Sequence, residues 1–524
     1  MLVCEIFSSA ICTAYCEESR MRRLKGTKKQ PALSATKEAR PSPSRHWPHL
    51  VILSLLLEIL GVICLQLKYA VLDLDLWLHL RAGEWILEHR SFPHTDPFSR
   101  IATGRPWIAY SWTYEVLLSL AYRWHGLVGM GMLGTLLTLL VACSVYWMLL
   151  RLSGRFWLSC LLASAACFAF LFNTMPRPVF VSMILLSVTL TLILEANRTG
   201  QVKTLYVLPL IFLLWCNIHI QFVYGLLLVG LLVATHLILR LLARFRACPT
   251  WLGPPTLPSF PLVIVLLGSV LASCIGPYWF HLYHVVYSYS QTTVAYRLVT
   301  ELQPIDFRSS RHYVQLLLTG VAFYAVGWRK RIDIFRLLLL AGCSIVAFRS
   351  VRDAWFICIP AVACIADVSA GQVEHPRRKV LPQVAIAFAI VTFTLPLLAP
   401  SMEFDTPGLE RAVGRYYPVK AADYILRNHL PGPLYNTFRW GDFLIWYLPQ
   451  YPVAIDGRTD LYGDEIVDRF TLTANGYSYS DDPYFNESRV ILLQRNNALV
   501  RFLPNDPRFE LVHLDEIAAV FRRR

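Results

Sequence analysis

The 524-residue chain lacks the short motifs by which most soluble enzymes hold nucleotides or activate a nucleophile. It contains no GxxxxGK(S/T) phosphate loop, no HExxH zinc motif and no GxSxG nucleophile elbow. Charged residues make up only 16% of the chain, against 55% hydrophobic residues and a mean hydropathy of +0.46. A soluble fold of this size cannot bury so much apolar surface. The composition therefore argues against a soluble nucleotide-using enzyme and predicts an integral membrane protein.

The cysteines supply neither a disulfide framework nor a metal site. Ten of the thirteen lie in or beside hydrophobic runs, and residues 400–524 contain none. No pair has the spacing of metal ligands. The thiols are thus expected to be buried within the membrane region.

The hydrophobic runs predict about eleven membrane-spanning helices. They cover residues 49–71, 127–150, 157–172, 178–195, 204–216, 221–242, 260–276, 312–328, 332–348, 354–368 and 380–399. Three of them are shorter than the roughly 17 residues that cross a bilayer unaided. We expect broken or tilted helices at 157–172, 204–216 and 354–368.

Basic residues in alternate short loops indicate the orientation. These loops carry Arg151 and Arg155, Arg198 and Lys203, Arg240, Arg244 and Arg246, Arg329, Lys330 and Arg331, and Arg377, Arg378 and Lys379. Because such loops face the cytoplasm, the basic N-terminal arm, residues 1–47, is also predicted to be cytoplasmic. Residues 1–20 show no signal-peptide order, and a start at Met21 would make them a start-site artefact.

Four polar segments then fall on the extracytoplasmic side of a membrane domain that covers residues 48–399. They are the external loops 72–112 and 277–311, the turn 349–353 and the tail 400–524. The net charge of +14 follows largely from the cytoplasmic Lys/Arg excess beside the lipid bilayer. The charge thus points to lipid and not to nucleic acid as the partner.

The tail, residues 400–524, is predicted to be a small α/β domain. Residues 420–427 have the pattern of a helix. Strands or strand–helix alternation are predicted at PLYNTF, YPVAIDG, RVILLQ, FELVHLD and IAAVFRR.

The external loop 72–112 is the first candidate for an active site. It places Asp73, Asp75, His79, Arg81, Glu84, Glu88 and Asp96 at the mouth of the membrane core, and the run 77–89 has helical spacing. Carboxylates at the mouth of a membrane core are costly unless they bind a cation or a reacting proton. Asp73 and Asp75 can share a divalent cation, or one can act as a base. The alternative is a pair of interfacial charges where the chain leaves the membrane.

Three further polar clusters lie on the same side. Glu301 stands in LVTELQPIDF, and Arg349, Arg352 and Asp353 stand in FRSVRDAWF. A guanidinium there could hold a phosphate in a bidentate manner, or snorkel to the interface. Asn217, His219 and Gln221, with Arg177 on a neighbouring turn, either stabilise helix contacts or line a cavity.

The loop pattern DxDxWxHxRxGEWILEH, followed by FPxTDPFS and GRPW, resembles the first external loop of the GT-C membrane glycosyltransferases. The likeness is to oligosaccharyltransferase catalytic subunits and to a set of bacterial multispan proteins. In the tail, NTFRWGDFLIWYLPQYPVAIDGRTDLYGDE is similar to the oligosaccharyltransferase Trp-Trp-Asp-Tyr-Gly signature and its downstream Asp-rich turn. Because residues 438–442 are not that pentapeptide, its acceptor-reading role is not carried over.

The resemblance implies a helical membrane protein with a GT-C-like fold in the bacterial inner (plasma) membrane. It would transfer a sugar from a polyprenyl-phosphate or pyrophosphate donor to an extracytoplasmic acceptor. Asp73, Asp75 and Glu301 are the implied catalytic residues, with Mg²⁺ or Mn²⁺ as a candidate cofactor on Asp75 and Glu301. The implied substrate-binding residues are His79, Arg81, His219, Arg349, Arg352, Asp353, Trp440, Asp442, Asp456, Arg458 and Asp460.

Two alternatives remain open from the sequence. One is a non-catalytic membrane assembly, transport or polymer-binding protein on a GT-C-like scaffold. The other is a family member that has kept the fold and lost the activity. The first alternative predicts that the acidic loop tolerates conservative changes and that no lipid-linked sugar is consumed.

Overall fold

A computed structural model describes residues 70–171, 177–245, 249–291, 293–329, 331–370 and 405–524. All of these residues fall within one compact unit, Trp47–Arg524. The predicted N-terminal arm, most of the predicted span 49–71 and the predicted span 380–399 lie outside the described residues.

Helices account for nearly all regular structure before residue 370. They are α1 (Leu76–His89), α2 (Trp112–Ser153), α3 (Phe156–Phe170), α4 (Val179–Thr199), α5 (Leu208–Cys216), α6 (Phe222–Arg244), α7 (Ser259–Ser273), α8 (His281–Gln291), α9 (Val294–Leu298), α10 (Ser310–Gly327), α11 (Ile334–Arg349) and α12 (Trp355–Val368). Short 3₁₀ turns lie at Ala70–Leu72, Val202–Val207, Thr300–Leu302 and Val351–Asp353.

Several of these helices are apolar enough to cross a membrane. Within the described residues, α2, α4 and α6 are both long and apolar enough to span it. Shorter apolar helices are α3, the segment Val202–Cys216 and α7. Each predicted span in the described part of the chain coincides with one of the helices named above. The chain is therefore a mostly helical, multi-pass membrane protein.

Helix α2 is divided by a kink. His125 has φ −150° and ψ 31°, and Gly126 has φ 56° and ψ −142°. Side chains rarely tolerate a positive φ of this kind, so glycine is suited to the position. The kink explains why the predicted span begins at residue 127 although the helix begins at Trp112.

Helix α1 confirms the helical spacing of residues 77–89 and lies tightly against α2. A Cβ added at Gly83 would lie 2.0 Å from the backbone oxygen of Glu115. The Ser119 hydroxyl donates to the Leu80 carbonyl at 2.8 Å. The first external loop is thus anchored to the outer end of α2.

The tail contains helices and one mixed sheet. Its helices are α13 (Thr406–Tyr416), α14 (Val419–Arg427), α15 (Gly441–Tyr447), α16 (Thr459–Ala474), α17 (Pro483–Glu487) and α18 (Leu499–Phe502). Its strands are β1 (Leu434–Asn436), β2 (Val490–Gln494), β3 (Phe509–Leu514) and β4 (Ala518–Arg523). Three-residue 3₁₀ turns lie at Phe438–Trp440, Tyr479–Asp481 and Leu503–Asn505.

The sheet confirms the α/β prediction for the tail. The strand order is β1-β2-β4-β3, with β1 parallel to β2 and the other pairs antiparallel. Leu492 pairs with Val520 at the centre, and both are fully buried. Four of the predicted strand segments and the helix at 420–427 are present as regular elements.

The prediction of a strand at YPVAIDG, residues 451–457, is wrong. Val453 forms only an isolated bridge with Ser99. The neighbouring backbone is paired with a side chain instead, because Asn436 accepts from Ala454 N at 2.8 Å and donates to Ile455 O at 2.7 Å. The alternation of apolar residues in the sequence does not show whether the backbone pairs with another strand or with a side chain.

The first external loop and the tail are packed against each other. Arg100 N donates to Val453 O at 2.8 Å, and Val453 N donates to Phe98 O at 3.3 Å. The Arg100 side chain also contacts Glu487 at 2.8 Å. The acidic residues of the loop and those of the tail therefore meet at one site.

Candidate active site

A cavity of about 330 Å³ lies between the outer helix ends and the tail. Its lining comes from distant parts of the chain, including residues 74–79, 107–115, 298–302 and 457–460. Eight of the predicted site residues line it: Asp75, His79, His219, Glu301, Arg352, Asp442, Arg458 and Asp460.

Arg177 is the centre of the acidic cluster. Its Nε donates to Asp73 Oδ2 at 2.6 Å, and its Nη2 contacts the other oxygen of Asp73. Its Nη1 lies 2.9 Å from Asp75 Oδ2 and 3.0 Å from Glu301 Oε2. The three predicted catalytic carboxylates are thus gathered around one guanidinium.

Asp73 and Asp75 differ in accessibility. The Asp73 side chain is 1% exposed, whereas that of Asp75 is 40% exposed. Burial raises the pKa of Asp73 in spite of its contact with Arg177. Burial also acts to raise the pKa of Asp75. The positive charges of Arg177 and Arg352 outweigh this effect and hold the pKa of Asp75 below its usual value. Asp75 is therefore the carboxylate that is both ionised and reachable.

Arg352 faces the same cavity from the 3₁₀ turn between α11 and α12. Within the described part of the chain its guanidinium has no hydrogen bond and no ion pair. Burial and the nearby Arg177 disfavour its charge, but Tyr289, Asp75 and Glu301 hold its pKa above the usual value. It is a charged, half-buried donor group that is open to a ligand.

Two imidazoles on the cavity wall are fixed by neighbouring helices. His79 Nδ1 lies 3.0 Å from Glu115 Oε1. His219 Nδ1 lies 2.7 Å from the Ser182 hydroxyl, which also accepts from Trp215 Nε1 at 2.7 Å. Burial, with Arg352 and His79 nearby, holds the pKa of His219 well below its usual value. His219 is therefore a neutral group at the floor of the cavity.

The tail contributes carboxyl groups whose pKa values are raised, whereas that of Asp75 is lowered. Burial and the charges of Asp456 and Asp75 hold the pKa of Asp442 well above its usual value. Its Oδ1 accepts from Gly457 N at 3.1 Å, and a Cβ at Gly457 would lie 2.5 Å from Oδ2. Burial also raises the pKa of Asp460. The tail side of the cavity therefore disfavours the ionised form of both carboxyl groups.

Arg458 connects the tail to the first loop. Its Nη1 donates to Asp96 Oδ1 at 2.8 Å and its Nη2 to Asp456 Oδ2 at 2.6 Å. The guanidinium also lies 4.8 Å from the ring centroid of Trp107. Arg458 reaches the cavity wall, but its charge is matched by two buried carboxylates that form no part of the lining.

The architecture is shared with solved membrane enzymes. No protein-family model and no curated protein matches the sequence. An oligosaccharyltransferase of Archaeoglobus fulgidus in the apo form is similar with a TM-score of 0.52, at 12% identity over 86% of this chain and 70% of that one. This chain has a GT-C-like fold.

Two more GT-C structures show weaker likeness. ArnT from Cupriavidus metallidurans bound to undecaprenyl phosphate has a TM-score of 0.40, at 14% identity over 91% of this chain and 98% of that one. AglB from Archaeoglobus fulgidus, in complex with an inhibitory peptide and a dolichol-phosphate, has a TM-score of 0.48 at 11% identity over 86% of this chain and 70% of that one.

Several predicted substrate-binding residues of the GT-C-like chain lie outside the cavity lining. Arg81 contacts Glu84 and Glu88, and Arg349 lies 5.1 Å from the ring centroid of Tyr296. Asp353 accepts from Gln221 at 3.1 Å and Tyr224 at 3.3 Å, and the buried Trp440 donates to Tyr416 O at 3.2 Å. Asp456 is fully buried beside Arg458. Arg81, Arg349, Asp353, Trp440 and Asp456 thus form no part of the lining of this cavity.

The carboxylates do not fit a resident divalent ion in this arrangement. Arg177 lies between Asp73, Asp75 and Glu301, where a cation would meet its positive charge. Among the described residues, no group of three or more His, Cys, Asp or Glu side chains is arranged to hold a metal. The assignment of Asp75 and Glu301 as metal ligands remains a prediction, and the reaction proposed for this site does not use a metal.

Several residues of the cavity lining were not among the predicted catalytic or substrate-binding residues. Arg177, the single charged residue in NTMPRPVF, was expected only to stabilise helix contacts or to line a cavity, because the sequence did not indicate its partners. Glu115, Tyr289 and Arg439 also line the cavity. Glu115 lies in the first turn of α2, where it is buried and contacts His79 at 3.0 Å.

Proposed function

We propose that this protein is a membrane glycosyltransferase that moves a sugar from a polyprenyl-phosphate-linked donor to an extracytoplasmic acceptor. One observation carries the proposal: an accessible carboxylate, Asp75, lines the same cavity as the Arg352 guanidinium, which has no ion pair among the described residues. A transferase of this kind needs a base for the acceptor and a cation for the departing phosphate.

Asp75 would take the proton of the acceptor hydroxyl. The acceptor oxygen then forms a bond to the anomeric carbon of the donor sugar while the bond from that carbon to the phosphate oxygen breaks. Arg177 keeps Asp75 ionised and oriented through the contact at 2.9 Å. Asp73, buried against the other side of Arg177, positions that guanidinium.

Arg352 would bind the phosphate that leaves. Departure of the sugar adds one negative charge to the lipid phosphate, so a fixed cation stabilises the product side of the transition state more than the substrate. A planar guanidinium can bind two phosphate oxygens at once. Glu301, which is 45% exposed and also contacts Arg177, would act as an auxiliary base.

The membrane arrangement completes the proposal. With eleven spans and a cytoplasmic N-terminus, the cavity and the tail would both face the extracytoplasmic side of a bacterial inner membrane. A donor whose lipid lies in the bilayer reaches such a cavity laterally. The enzyme would then need no nucleotide-binding domain.

The test is donor consumption by the purified protein in lipid. A panel of polyprenyl-phosphate-linked sugars should include at least one that is consumed by the wild type and not by Asp75→Asn. Glu88→Gln, an exposed carboxylate in the same loop, is the matched control. If no donor in the panel is consumed, the non-catalytic binding or assembly function is favoured instead.

A further inference from the structure

A second cavity in the tail adjoins the candidate active site. It has a volume of about 510 Å³ and lies between the end of α13, the 3₁₀ turn Phe438–Trp440 and the turn that follows β2. Arg439 lines both this cavity and the one that contains Asp75. The two cavities thus share one side chain of their linings.

The lining of the second cavity is strongly basic. Arg415, Arg439 and Arg495 all contribute to it and all are exposed. The only carboxylate of the lining, Glu516, lies 3.0 Å from the Lys420 ammonium, so its charge is already matched. Arg439 and Arg495 therefore leave this wall with more guanidinium than carboxylate charge.

Main-chain contacts fix the basic wall in place. Arg495 N donates to Ile517 O at 2.7 Å, and Arg495 Nη1 donates to Asp515 O at 3.1 Å. Among the described residues, the guanidinium of Arg495 has no hydrogen bond other than the one to Asp515 O. The nearby Asp515 carboxylate is engaged by Ile517 N, Ala518 N and His513. Arg439 forms no hydrogen bond or ion pair within the described residues.

We infer that this cavity binds oxyanion groups of the acceptor, so that the acceptor is an anionic, phosphate-bearing molecule. The inference rests on the proposed function, because it treats the cavity with Asp75 as the place of transfer. Guanidinium groups are suited to phosphate, which they bind through paired N–H donors. An acceptor held by Arg495 and Arg439 would extend its reacting hydroxyl towards Asp75.

The test measures binding without any donor. The full-length protein in phosphatidylcholine nanodiscs is titrated with a fluorescent short polyphosphate and with an uncharged dextran. Wild type should bind the polyphosphate and not the dextran. Arg495→Gln and Arg439→Gln should each weaken binding about 10-fold, because each removes charge-assisted hydrogen bonds. Arg501→Gln, an exposed arginine on α18 outside the cavity, should leave binding unchanged.

A further arm identifies the source of the phosphate. If lipid headgroups occupy the cavity, nanodiscs with phosphatidylglycerol should compete with polyphosphate in wild type; if soluble acceptors do, the two lipids should give equal binding. Equal losses in Arg495→Gln and Arg501→Gln, or equal binding of dextran, would overturn the inference. Polyphosphate binding without donor turnover would leave this site standing and defeat only the proposed function.

Discussion

Nη1 of Arg177 lies 3.0 Å from Oε2 of Glu301, although 124 residues separate them in the chain. The same guanidinium holds Asp73 and Asp75 from the first external loop. Three carboxylates and one guanidinium would leave the cluster with a net negative charge. The nearby charge of Arg352 offsets part of it. The contacts of Arg177 therefore favour the ionised form of Asp75.

The pH dependence of transfer should report on Arg177. Arg177 and Arg352 hold the pKa of Asp75 below its usual value, so the base stays ionised into the acid range. Removing one of these charges raises that pKa, and activity is lost below it. Arg177→Gln should therefore move the acid limb of kcat/KM to higher pH by about 1 unit or more. The highly exposed Arg308→Gln is the control, and an unmoved limb in Arg177→Gln would contradict the assignment.

A divalent cation should bind the cluster better once Arg177 is removed. In Arg177→Gln, Asp73, Asp75 and Glu301 would face one another without a counter-charge. Mn²⁺ should then raise the Tm of the variant more than that of wild type, by the equivalent of about 2.7 kcal/mol at a concentration of 100 Kd. Arg177→Gln combined with Glu301→Gln should lose much of this shift. A larger shift in wild type would instead support Asp75 and Glu301 as ligands of a resident Mg²⁺ or Mn²⁺.

The phosphate role of Arg352 should depend on its planar fork and not only on its charge. Arg352→Lys keeps the charge but offers a point-like ammonium, so it should lose much of the transfer activity. Arg352→Ala should lose more. Single-turnover rates with a saturating donor separate this effect from weaker donor binding. Equal rates in wild type and Arg352→Lys would indicate a residue that snorkels to the interface.

The local elements of the fold were predictable from the sequence, because their signals lie in neighbouring residues. Helix α1 follows the 3.6-residue spacing of 77–89, and β2 follows the apolar run RVILLQ. The segment YPVAIDG has the same alternation, but its backbone is paired with Asn436, a side chain 18 residues away from Ala454. The periodicity of apolar residues shows which residues are buried, but it does not show which groups pair with their backbone.

The composition of the active-site cluster was only partly predictable. Asp73, Asp75, Glu301 and Arg352 were recognisable as charges at the outer ends of spans, where charge is costly. The contact between Arg177 and Asp73 crosses 104 residues, and that between Arg458 and Asp96 crosses 362. No spacing rule joins residues so far apart. Their pairing follows from the packing of the tail on the first loop.

The pairing of Arg458 should be essential to that packing. Arg458→Met would leave Asp96 and Asp456 buried without their partner, although the apolar stem is kept. Breaking a buried ion pair in this way typically costs about 3–5 kcal/mol. The denaturant midpoint of the purified variant should fall accordingly. Arg469→Met, which removes a more exposed pair on α16, should change it little, and equal effects in the two variants would contradict the assignment.

Replacing Asp75 separates catalysis from packing. Asp75 caps the start of α1 without a side-chain cap hydrogen bond, and its side chain is 40% exposed, so an amide of the same shape should leave the fold intact. Asparagine cannot take a proton from the acceptor, and loss of a general base costs a factor of about 10²–10⁴ in rate. We expect Asp75→Asn to lose transfer to that extent while its thermal unfolding is unchanged.

Asp73→Asn supplies the contrast, because that carboxyl is 1% exposed and bound to Arg177 through both oxygens. It should lower both the Tm and the activity, since the guanidinium loses a buried counter-charge. Rates are measured for each single variant and for the double variant with the same donor. If all three keep wild-type turnover, the pair is an interfacial charge cluster where the chain leaves the membrane. The glycosyltransferase proposal would then lose the base on which it depends.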